Sequence, residues 1–232
     1  MKKNLISWLL GILIFSFVSV SVFGQRVDDF EVELNNDSSG IIIVGYTGNT
    51  AKIAIPSKIE GLPVTEIAYG AFYSNRVIGS VVIPDSVIEI GESCFQQCPN
   101  LTSVTLPKNL SKIGANAFMA CTKLTTINIP SGLSRIERGV FSSCGFTQII
   151  IPEGVTYIGT SAFSNCFNLA NVTLPKSISV VDYDAFSTCR KLTTVNLQDG
   201  LSIEFDNEVF NGSKLNIASQ SALRKAGYKG VF

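Results

Sequence analysis

Pro84, Pro107, Pro130, Pro152 and Pro175 follow one another at a nearly constant step of about 23 residues, a period in the range of solenoid and propeller repeats. Phe72, Phe95, Phe118, Phe141, Phe163, Phe186 and Phe210 keep the same step with a drift of at most one position, and so do Cys98, Cys121, Cys144, Cys166 and Cys189. Three columns in one register define a repeat. A unit of that length cannot close a hydrophobic core alone, so its apolar positions must stack on those of its neighbours, which restricts the chain to a solenoid or a related array.

Each unit reads apolar-x-x-apolar-x-apolar-Pro, as at Leu124, Ile127, Ile129 and Pro130, and continues through Leu133 and Ile136 to Phe141 and Cys144. The segment around Ile127 and Ile129 has period two and β-branched residues, which predicts a short strand ended by proline. The half that follows has apolar spacing nearer three, which predicts a short helical or 3-10 turn packing back onto the strand. The expectation is one coil of a right-handed α/β solenoid per unit, with a parallel sheet on one face and short helical turns on the other.

The ends predict caps. FEVELNNDSSGIIIVGYTGNTAKIAIP reads as two or three antiparallel strands turning at Asn35 to Gly40 and at Gly48 and Asn49, a small β cap over residues 25–62. Residues 63–217 hold about six to seven repeats. Residues 218–232 read as a C-terminal cap, with Ser219 as a helix N-cap, Arg224 and Lys225 in the last turn, and Gly227 as the stop.

Residues 1–24, with Lys2 and Lys3 before an uncharged run from Leu5 to Phe23, then Val22 and Gly24 at the small-residue positions, match a cleavable signal peptide. An uncleaved anchor is the alternative, because the run is long for a signal. After cleavage no integral membrane span is expected. Loss of Lys2 and Lys3 leaves 16 basic against 18 acidic residues. That balance, without a basic run, excludes nucleic acid as an expected partner.

Catalytic chemistry finds little support. The chain has no histidine, which removes Ser-His-Asp and Cys-His catalysis and every His-ligated metal. Asp28 and Asp29 are adjacent, and neighbours on an extended chain point to opposite faces. There is no phosphate-cradling glycine motif, and one cysteine per coil is a packing period, not a ligand cluster. The reading is a non-enzyme with no cofactor and no metal site.

Leu169, Val172, Leu174 and Pro175, with Val155, Ile158, Gly159, Ala162, Phe163 and Cys166, follow a pattern that resembles the BspA-type leucine-rich repeat. The resemblance runs from about Val64 to Leu197. It implies a leucine-rich repeat solenoid that acts as an adhesion or protein-binding module at the cell surface, and the signal pattern fits an exported protein that is secreted, held at the cell surface or kept in the periplasm. The partner it implies is an extracellular or cell-surface protein. A structural or carbohydrate-contacting envelope module is the alternative. The protein is expected to be a monomer.

Strand alternation points two residues per unit away from the core. The candidate binding face is therefore Ser103, Thr126, Gln148, Asn171 and Thr194 in one column and Thr105, Asn128, Ile150, Thr173 and Asn196 in the next, with Ser80 and Val82 extending them. Tyr69, Tyr73, Arg76, Tyr157 and Tyr183 are candidate aromatic or cationic anchors in loops.

Overall fold

The computed structural model describes residues 26–232, so the signal peptide expected over residues 1–24 lies outside the described residues. After a 3-10 turn at Val27–Asp29, β1 (Phe30–Leu34) and β2 (Ile41–Tyr46) form an antiparallel hairpin. Asn35 closes its turn: Oδ1 accepts from the backbone N–H groups of Ser39 at 2.9 Å and Gly40 at 3.0 Å. Next come β3 (Lys52–Ala54), β4 (Lys58–Ile59) and β5 (Leu62–Ile67).

From there the chain alternates between two sets of short strands. The first set is β6 (Ser80–Val82), β8 (Ser103–Thr105), β10 (Thr126–Ile127), β12 (Gln148–Ile150), β14 (Asn171–Thr173) and β16 (Thr194–Asn196). The second is β7 (Glu89–Ile90), β9 (Lys112–Ile113), β11 (Arg135–Ile136), β13 (Tyr157–Ile158), β15 (Val180–Val181) and β17 (Glu204–Phe205). Each set pairs in parallel with its own kind, one coil to the next, except between β9 and β11 and between β10 and β12. The first ladder is the predicted sheet.

The second ladder stands where the spacing of apolar residues predicts helical turns, and this corrects the α/β expectation. Ile90, Ile113, Ile136 and Ile158 are buried strand residues. The chain between them and the cysteines forms turns, not helix. In those turns, from Phe72 to Phe186, the residues two before and two after each Phe adopt a positive φ, as at Ser93 (55°) and Gln97 (60°) or Asn116 (59°) and Ala120 (61°). That geometry points alternate N–H groups along the solenoid axis. Ser93, Phe95 and Gln97 donate to the carbonyls of Ala115, Ala117 and Met119 at 2.9, 2.7 and 2.8 Å. A helix would spend these donors within its own turn. The result is a β-solenoid of about seven coils whose third side is a stack of hydrogen-bonded turns.

The core is a set of single-residue columns. The rings of Phe72, Phe95, Phe118, Phe141, Phe163, Phe186 and Phe210 stack at 4.8 to 5.7 Å with interplanar angles of 2° to 24°. Tyr46 continues the stack at the N-terminal end, and Tyr228 closes the other edge-on against Phe210 at 5.2 Å and 87°. Offset stacking at these distances stabilises each pair by about 0.5–1.5 kcal/mol beyond burial.

The caps differ from expectation in detail. β2 and β3, inside the segment read as a cap, already stand in the ladders: β2 pairs in parallel with β5, and β3 in parallel with β6. The turn at Gly48 and Asn49 therefore joins the two ladders and makes no hairpin. At the far end α1 (Ile217–Lys225) is capped by Asn216, whose side chain accepts from Ser219 N–H at 2.8 Å. Ser219 is instead buried, and its Oγ accepts from Val195 N–H at 3.0 Å. Gly227 ends the helix at φ +117°, as expected.

Both ladders are interrupted at one place, between β9 and β11 and between β10 and β12. The coil there is one residue short. Phe146 fills the slot that Leu124 and Leu169 occupy in neighbouring coils, edge-on to Phe141 at 5.7 Å and 73°. Gly145 lies so close to the preceding coil that a Cβ would stand 2.5 Å from the Thr122 carbonyl oxygen, and its own N–H donates to Leu124 O at 3.0 Å.

Candidate functional site

The first ladder presents the candidate face. Its inward residues Val81, Val104, Ile149, Val172 and Val195 are buried, so period-two alternation turns the residues on either side of each outward. Ser103, Thr105, Thr126, Asn128, Gln148, Ile150, Asn171 and Asn196 are exposed, and Thr173 and Thr194 are half-buried. Register aligns them: Ser80, Ser103 and Thr126 face one another in turn, and Gln148, Asn171 and Thr194 do so after the interruption. The ten residues stand in two columns on one side of the molecule.

Hydrogen bonds within the columns are few. Asn196 Nδ2 donates to Thr173 Oγ1 at 3.4 Å, and Asn216 Nδ2 to Thr194 Oγ1 at 3.4 Å. The face carries two exposed apolar side chains, Ile150 at 67% and Val82 at 48% exposure, and one charge at its N-terminal end, the exposed Lys52 in register with Ser80. Such a surface can offer short hydroxyl and amide groups together with isolated apolar contacts.

The loop candidates divide. Tyr69, Tyr73 and Tyr183 are exposed on the stack of turns. Tyr157 belongs to a surface network on the second ladder: the Arg135 guanidinium lies 3.7 Å above its ring, and its hydroxyl donates to Asp182 Oδ2 at 2.8 Å. Burial and that bond push the Tyr157 hydroxyl above the ordinary phenol value. Thr160 also donates to Asp182 Oδ2, at 2.9 Å. On the same ladder Lys112 Nζ lies 2.6 Å from Glu89 Oε1, and this bond raises the Lys112 ammonium.

The edge where each coil leaves the turns and enters the first ladder holds one of the loop candidates, Arg76, and otherwise escaped the sequence reading. Lys123 Nζ donates to Asn100 Oδ1 of the preceding coil at 2.8 Å, and Asn100 Nδ2 donates to the Arg76 carbonyl at 2.7 Å. Three coils on, Lys191 Nζ donates to Asn168 Oδ1 at 3.0 Å. Arg190 lies beside Phe167, 5.3 Å from its ring centre. The available signal was Asn followed by Lys in one register, a single repeat period apart, occurring twice.

Among the described residues no helix is long and apolar enough to cross a membrane. The model of the BspA type leucine-rich repeat region matches residues 46–166 and 134–227, with six copies. The crystal structure of the T. pallidum leucine-rich repeat protein is similar over 90% of this chain and 98% of its own, at 37% identity and a TM-score of 0.85. A leucine-rich repeat protein from Bacteroides ovatus is 26% identical over 83% of this chain and 57% of its own, with a TM-score of 0.65. A search of curated proteins finds no significant match. Six in-register repeat copies and a relative alike over nearly its whole length lead to one conclusion: this chain belongs to the BspA-type leucine-rich repeat family.

Proposed function

We propose that the protein is an exported adhesion module that binds another protein at the cell surface through the outward columns of the first ladder. One observation carries the reading: the columns run in register on a stack whose every coil is tied to the next by backbone bonds and by the Phe ladder. A pre-ordered surface loses little conformational entropy on binding, and its short side chains lose little rotamer freedom. Affinity per molecule is modest and grows when several copies act together on a surface. The leader-like residues 1–24 support export.

The test compares wild type with a Thr126→Arg, Asn171→Arg double variant. Both positions are exposed, so folding survives while a flat contact is obstructed. Immobilised extracellular matrix proteins and a glycan array are probed side by side. Retention of the wild type on a matrix protein, reduced about tenfold or more in the variant, is the expected result. Equal retention of the two proteins moves the site off this face, and binding to glycans alone replaces the proposal with a carbohydrate-contacting envelope module.

A further inference from the structure

The solenoid confines its carboxylates to one of two arcs, an arc that also carries Lys108, Lys112, Arg135, Arg138 and Lys176. From each Phe through its strand to the following Pro, over residues 72–84, 95–107, 118–130, 141–152 and 163–175, and over 186–197 in the coil that lacks the Pro, the chain contains no Asp and no Glu. It does contain Arg76, Lys123, Arg190 and Lys191, and Lys214 follows Phe210 in the same position. The solenoid's carboxylates, among them Glu89, Glu137, Glu153 and Asp184, fall in the other arc, after the Pro and before the Phe. All five cations are exposed.

Coiling turns this division into geometry. The five cations line one edge of the first ladder, beside the outward columns. At about 4.8 Å per coil the row from Arg76 to Lys214 spans about 29 Å, and Lys123 and Lys191 stand about 14 Å apart. Two of the ammonium groups are held in place by Asn100 and Asn168, and Arg190 by Phe167. Charges fixed in this way lose less entropy on binding than free surface lysines.

We infer that this edge docks an acidic segment of the protein partner, laid along the solenoid axis with its carboxylates on Arg76, Lys123, Arg190, Lys191 and Lys214 and its neutral groups on the adjoining columns. The inference rests on the protein-binding reading above and adds the partner's chemistry. An extended chain advances about 3.3 Å per residue, so about nine residues cover the row. Carboxylates three and then four residues apart match the gaps of about 10 Å from Arg76 to Lys123 and about 14 Å from Lys123 to Lys191, and the next one or two residues reach Lys214. A sulfated glycan carries its charges more densely than one sparse row can pair.

The probe is a synthetic peptide of about twenty residues with Glu at every third position and Thr or Ser between; the same peptide with Lys for Glu, and heparin, serve as comparisons. The wild type binds the Glu peptide weakly at low salt, and the affinity falls about tenfold as salt is raised to physiological strength. Lys123→Glu with Lys191→Glu lowers it a further tenfold or more, and Lys123→Ala with Lys191→Ala lowers it by less, both with unchanged melting temperature. Absence of Glu-peptide binding, equal binding of the two peptides, indifference to the Lys substitutions, or preference for heparin each overturns the inference. Glu-peptide binding that persists when no matrix protein is retained refutes the earlier proposal alone.

Discussion

The thiol of Cys144 donates to the carbonyl oxygen of Phe118 in the preceding coil, with sulfur and oxygen 3.2 Å apart. Cys98, Cys121, Cys166 and Cys189 repeat the contact with Phe72, Phe95, Phe141 and Phe163 at 3.1 to 3.2 Å. All six cysteines are free and buried. The ladder cysteine is thus a small apolar group that also satisfies a main-chain acceptor beside the Phe stack, which gives the Phe and Cys columns one shared origin.

Ser213 takes the cysteine position in the last coil, and its buried Oγ has no partner among the described residues. The C–O bond is shorter than C–S, so the hydroxyl stops short of the acceptor. Ser213→Cys is expected to stabilise the protein by about 1 kcal/mol by removing an unsatisfied hydroxyl, and Cys144→Ser to destabilise it by about 1–3 kcal/mol by creating one. Urea midpoints at constant slope measure both. A destabilised Ser213→Cys protein would refute the geometric account.

Phe118 stacks between Phe95 at 5.3 Å and Phe141 at 5.7 Å and is fully buried. Phe118→Ala removes both contacts and leaves a cavity, at an expected cost of about 3–5 kcal/mol. Chemical denaturation reads the loss directly, and an unchanged midpoint is incompatible with a packed ladder.

Burial pushes the thiols of Cys94, Cys144, Cys166 and Cys189 above the ordinary thiol value, that of Cys166 up to about 12. In the unfolded chain these thiols ionise near about 8.5. Between the two values the folded state holds more protons, so stability is complete below about pH 8.5 and falls as pH rises toward 12, about tenfold in the unfolding constant per pH unit and thiol. Unfolding midpoints from pH 7 to pH 11 should be level at first and then drop. Tyr and Lys titrate in the same range, so Cys166→Ala provides the comparison: it is less stable at pH 7 and loses stability less steeply above pH 9. Identical slopes would assign the alkaline loss to other groups.

Much of the architecture was legible in the sequence because the determining interactions recur at the repeat period. Phe, Cys, Leu and Pro each return once per repeat, and a column of like residues has one way to be buried in a coil too small to have a core of its own. Strand alternation also placed Thr126, Asn171 and the other outward residues, since side-chain direction in a strand follows local geometry. What followed the Pro was not legible. Leu133 and Ile136 have the spacing of a helical turn, and only the coils on either side decide that the N–H groups of Ser93, Phe95 and Gln97 bond onward to the next coil. The same holds for Asn216, which caps α1 because Ser219 is drawn inward to the Val195 N–H. It holds for the cationic edge as well, where side chains a whole repeat or more apart in the sequence become neighbours only when the chain coils. Periodicity along the chain specifies which residues share a column, whereas the hydrogen bonds and charges that act between columns belong to the stacked coils.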